Sequence, residues 1–216
     1  MKSIAISILA IFIIVNIASS QEVKVMASYS TSTYFKFKSN FGYGIGINKI
    51  IKEKNKFGFT FTHQFYQKHY SYTYYSDAYG ITYERDANAK NQKLSFLFSY
   101  VFNIAKTEKS KTFLGPSISL NYFKINEDLH EVIKDSTSTD YNYIQWDMSK
   151  IGIGLVFEYE HFIFSDQMSI VFSMQPELVF YSQINTYGAS GPGLVPFFNF
   201  GLAFQYLLPK PKGIKQ

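Results

Sequence analysis

From Phe41 to Ile47 the chain reads Phe-Gly-Tyr-Gly-Ile-Gly-Ile, with glycine at every second position. Successive side chains of a β-strand point to opposite faces, so Gly42, Gly44 and Gly46 share one side and Phe41, Tyr43, Ile45 and Ile47 the other. Glycine in a strand costs backbone entropy and packs nothing, so three in register imply that their side is crowded. The alternation recurs down the chain. Phe198, Phe200, Leu202, Phe204, Tyr206 and Leu208 oppose Asn199, Gly201, Ala203 and Gln205, and Leu114, Ile118, Leu120 and Tyr122 oppose Gly115, Ser117, Ser119 and Asn121. Breaks at turn-forming and charged clusters predict eight strands, at roughly 23–35, 41–51, 56–74, 92–104, 111–125, 143–163, 168–184 and 194–208.

What the two faces carry decides the surroundings. A half-buried soluble sheet wears Lys, Glu and Thr on its wet face, whereas here the non-apolar face is mostly Gly, Ser, Thr, Asn and Ala. Small residues suit the inside of an eight-stranded barrel, which has room for side chains and little else. The alternative is a soluble calyx with the apolar face inward. Its interior would have to take the Phe, Tyr, Leu and Ile of eight strands and would be overfilled. The expected fold is therefore all-β: an eight-stranded antiparallel up-and-down transmembrane β-barrel with a plugged polar interior.

The connections fit this reading. Short turns are expected near 52–55, 105–110 and 165–167, and longer loops at 76–91, 127–142 and 186–193, as in barrels with short periplasmic turns and long outer loops. Tyr66, Tyr70, Tyr72, Tyr74 and Tyr75, with Tyr141, Tyr143 and Trp146, crowd the loop-side ends of strands 3 and 6, where an aromatic girdle would lie. Parity along strand 6 fails above Lys150.

Charged residues make up 17% of the chain, against roughly 25% in an average soluble domain. The net charge of +5 is carried almost wholly by lysine, Arg85 being the only arginine, which argues against nucleic acid as a partner. No cysteine is present, which removes disulfides, thiolate metal sites and a cysteine nucleophile. Lys2, the apolar run Ile4 to Val15, and Ala18 and Ser20 before Gln21 read as a signal peptide over 1–20, leaving 21–216 as one barrel domain. The apolar run is short for an anchor helix.

Two further stretches, Leu114 to Tyr122 (LGPSISLNY) and Gln175 to Gln183 (QPELVFYSQ), resemble the PorT-like outer-membrane β-barrel family. In that family Gly-Pro or Gln-Pro-Glu-Leu segments recur in strands of the barrel wall. The resemblance implies wall geometry rather than chemistry. The chain departs from a common outer-membrane pattern by ending in Pro-Lys-Pro-Lys-Gly-Ile-Lys-Gln rather than an aromatic residue.

Few residues suggest a site. Glu158, Glu160, Glu177 and Lys150 fall on the small-residue face, with Lys93 as a cross-strand partner, and are expected to form a luminal charge network that fixes register. His63, His69, His130 and His161 are scattered, so neither a metal nor a cofactor is expected. Glu160, His161 and Ser165 are close in sequence, but neighbours in a strand face opposite ways, which breaks a hydrolytic triad. The glycines at 42, 44 and 46 lack the strand-to-helix turn of a phosphate loop. The expected role is non-catalytic, in the envelope, with lipid around the wall and an external partner at the loops. A narrow pore and a lipid-modifying enzyme are the alternatives.

Overall fold

The computed structural model describes residues 21–32, 40–51, 54–76, 81–133, 139–182 and 192–208. They form eight strands: β1 (Gln21–Ser32), β2 (Asn40–Ile51), β3 (Asn55–Ser76), β4 (Ile81–Lys106), β5 (Ser110–Ile133), β6 (Thr139–Ser165), β7 (Met168–Ser182) and β8 (Pro192–Leu207). Each pairs antiparallel with its neighbours in sequence, and β8 pairs with β1, so the sheet closes into a barrel. The proposed signal segment lies outside the described residues.

The register fixes the shape. Cross-strand partners lead from Glu22 through Asn48, Gly58, Ser99, Ser117, Gly154, Glu177 and Phe197 back to β1 at Ser32, ten positions above the start. A stagger of that size in eight strands tilts them by roughly 40–45°, the steep end of the range for small barrels.

Outward positions carry an apolar belt. Phe41, Ile45, Leu202 and Phe204 are 70%, 57%, 58% and 68% exposed, and Val25, Ile118, Ile151 and Leu155 also face out. So many exposed large apolar side chains on one continuous wall are at odds with water and suit hydrocarbon. Tyr100, Tyr159 and Tyr206 share the outward parity near the short-turn rim.

Two segments expected as loops are largely strand. β3 continues above the rung Phe41–Phe65 to Ser76, β4 starts at Ile81, and β5 and β6 pair as far as Val132–Thr139. The polar run from Thr82 to Asn91 alternates without an apolar face, so no hydrophobic period marks it as strand. β3 to β6 thus extend as a four-stranded sheet past the ends of the other strands. The ten residues from Gln67 to Ser76 add about 33 Å of strand. Most of the expected loop at 186–193 lies outside the described residues.

Parity in β6 does not fail above Lys150. Met148 and Lys150 are half-buried while Asp147 and Ser149 are exposed, so the alternation persists and only the outward residues turn polar. Tyr66 is also not a girdle residue: it shares the inward parity of Thr60 and Gln64 and is buried. Tyr75 is exposed, and the side chains of Tyr70, Tyr72, Tyr74, Tyr141, Tyr143 and Trp146 lie outside the described residues.

The two segments that resemble the PorT-like family coincide with gaps in the ladder. Pairing of β4 with β5 skips from Ser99–Ser117 to Phe102–Leu114, across Gly115 and Pro116. That of β6 with β7 skips from Gly154–Glu177 to Phe157–Met174, across Gln175 and Pro176. Proline has no N–H to give a ladder, so each interrupts one seam while remaining paired on its other side, Pro116 with Leu155 and Pro176 with Phe198.

Candidate functional site: the barrel interior

The inward face is ordered in layers. Nearest the short-turn rim, Lys56 Nζ lies 2.7 Å from Glu22 Oε2 and 2.9 Å from Glu160 Oε2. The second oxygen of Glu160 accepts from Gln205 Nε2 at 2.6 Å and from Ser169 Oγ at 2.9 Å, and Asn48 Nδ2 donates to Glu22 at 3.2 Å. Two positions further along β1 and β6, Lys24 Nζ meets Glu158 Oε1 at 2.6 Å. All five charged groups are buried, three carboxylates against two ammonium groups.

Above them Met26, Ser28, Thr60, Thr62, Gln64, Ser173 and Gln175 surround a space of about 40 Å³. Glu177 closes it on the far side. One of its carboxylate oxygens takes Asn121 Nδ2 at 2.8 Å and the Ser119 hydroxyl, the other Asn199 Nδ2 at 3.1 Å, and Lys93 Nζ lies 3.6 Å away. Lys93 also rests over the Phe197 ring, 4.3 Å from its centroid.

Beyond this pair the interior turns apolar. Phe123, Ile125, Val179 and Phe197 are fully buried together, with Met148 and Val195 packed against them. Smaller clusters, Val101 with Phe113 and Val156, and Met26 with Val171 and Ala203, fill the lower barrel. The expected polar interior is thus corrected. Aromatic and branched side chains share the lumen with the charges, because the glycines opposite leave room for them. The run up β7 displays the order: Ser169, Val171, Ser173, Gln175, Glu177, Val179.

Of the five residues expected to share a network, Glu158 and Glu160 reach different lysines, and Glu177 and Lys93 form the separate upper pair. Lys150 is half-buried opposite Asn121. Sequence reasoning missed Lys24, Lys56 and Glu22. A signal was present, since Glu22 and Lys24 alternate with Val23 and Val25 and share the parity of Ser28 and Ser30.

His69 and His130 both neighbour Asp86, the first by contact and the second as its rung partner on β5, and His63 and His161 lie elsewhere on the wall. His63 sits on the outer wall between Tyr43 Oη and Gln92 Oε1, each at 3.2 Å, and His69 Nε2 lies 3.0 Å from Asp86 on the extended sheet. His161 is exposed and stacks on Tyr159, while Glu160 faces the lumen. Among the described residues no group of three His, Cys, Asp or Glu is placed to hold a metal.

No family model matches the sequence, and no curated protein matches it. Among solved structures, Neisserial surface protein A is similar over 87% of this chain and 95% of its own, with a TM-score of 0.52 at 12% identity. A major outer membrane protein from Thermus thermophilus is similar over 87% of this chain and 99% of its own, with a TM-score of 0.50 at 10% identity. The chain has the fold of a small outer-membrane β-barrel. At these identities the likeness concerns the fold alone.

Proposed function

We propose that the protein is a non-catalytic resident of the bacterial outer membrane, a blocked barrel that holds a projecting sheet outside the cell for contact with an external partner. The observation that carries this reading is the filled lumen: ion-paired layers below and an apolar plug above occupy the barrel axis. The extension of β3 to β6 supplies the surface, about 33 Å of strand beyond the neighbouring rim. The PorT-like relationship is part of the proposal and rests on the two proline-bearing wall segments. So does cleavage of the signal segment, which would deliver the chain to the envelope.

Membrane location predicts that Leu202→Lys, at an outward position 58% exposed, lowers unfolding free energy in lipid by about 2 kcal/mol. Urea titration in vesicles measures it, and an unchanged midpoint would mean that Leu202 does not face hydrocarbon. The role of the sheet is tested by replacing residues 67–90 and 126–145 with short turns. That barrel should still shift its mobility between unboiled and boiled gel samples, yet fail to restore the defect of a deletion strain. Full restoration would move the function to the wall. Full-length protein in planar bilayers should give no conductance steps. Steps that diminish in Glu158→Gln or Glu177→Gln would favour the pore.

A further inference from the structure

The small space between the lower and upper glutamate–lysine pairs is lined by both polar and apolar residues, and two polar atoms of its lining residues lack a partner in the protein. Ser28 Oγ and Gln64 Oε1 are buried, with no hydrogen-bond partner in the protein, and both residues line the cavity. Gln64 is 1% exposed and Ser28 7%, so bulk solvent does not serve them. A buried acceptor without a donor is costly, and such groups in folded proteins are met by protein or by ordered water.

The cavity also has the size and the chemistry for water. About 40 Å³ accommodates about three molecules. Thr60, Thr62, Ser95, Ser173, Gln175 and Asn199 add polar groups around the walls, enough to give each molecule several partners. The charges that border it are already matched, Glu158 by Lys24 and Glu177 by Lys93, so a neutral guest fits better than an ion. We infer that this chamber is a specific site for a small cluster of ordered water that hydrogen-bonds Ser28 and Gln64 and spans between the two glutamate–lysine pairs. Along the barrel axis the water then lies between two levels of paired charge, with the apolar plug beyond the upper one.

The methionines report on each. Met26 lines the chamber, Met148 packs on the apolar plug, and Met168 and Met174 are exposed on the outer wall. With methyl-labelled methionine in the folded protein in lipid nanodiscs, the Met26 methyl should show cross-relaxation to long-lived water. Met148 should show none, and Met174 should show contact with acyl chains. The double variant Ser28→Val, Gln64→Met should lose the Met26 signal while the spectrum stays that of a folded barrel. A Met26 methyl without water contact in the unaltered protein would overturn the inference by itself, whether or not the variant folds. So would a Met26 resonance that moves when sodium or potassium replaces N-methylglucamine, because the guest would then be a cation.

Discussion

Replacing Lys56 by methionine should destabilise the folded barrel by about 3–5 kcal/mol, as expected when one member of a buried ionic cluster is removed. Lys56 is the ammonium group shared by Glu22 and Glu160, at 2.7 and 2.9 Å, and all three are buried. Without it two carboxylates face each other in a medium that solvates neither. The loss is read as a lower urea midpoint in lipid vesicles and earlier unfolding on heating. The triple variant Glu22→Gln, Lys56→Met, Glu160→Gln should recover most of it, since a neutral replacement of a whole buried cluster is often tolerated. Equal damage in the triple variant would show that Lys56 acts by packing over the Phe113 ring, 4.1 Å away, rather than by charge.

Gly44→Leu should cost about 3 kcal/mol or more, by overpacking. A Cβ at Gly44 would lie 2.6 Å from the Phe61 carbonyl oxygen, 2.9 Å from Thr62 Cγ2 and 3.0 Å from Met26 Cγ. The first of these is backbone and cannot turn aside. Even alanine must move the wall, and leucine must also displace Met26. Reduced yield of the fast-migrating unboiled form, with a β-rich spectrum retained only in part, is the expected outcome. An undisturbed barrel would mean that the alternate glycines of β2 are not needed for close approach.

The two faces were legible because their chemistry changes at every residue. Leu202 and Phe204 against Ala203 and Gln205 leave little choice of side, and repetition in eight runs leads to closure. The pairing of luminal charges was less legible. Lys24 and Glu158 are 134 positions apart and Lys56 and Glu160 are 104, and which strands meet across a lumen depends on the stagger of the whole ring. Phe113, Phe123 and Phe197 were hidden for another reason. Each lies beside a residue of opposite parity that is also large, as Phe197 beside Phe198, so hydrophobicity does not reveal which of two neighbours points inward. The upper part of β3 reads as strand as far as residue 74, but the matching extension of β4 was missed because both of its faces are rich in polar residues, and burial is what gives a strand its written period.

Every strand in this ring hydrogen-bonds to the next one in sequence, and the seam that no connection spans is that between β8 and β1. There Leu208 N donates to the Gln21 carbonyl at 2.8 Å, so the beginning of the first strand and the end of the last are in contact. The wall is therefore cyclic in its connectivity as well as in its shape. A circular permutant that joins these ends and opens the Asp166–Gln167 turn would contain the same eight ladders and the same luminal layers. With respect to the folded object, where the covalent chain starts is a matter of biosynthesis and not of architecture.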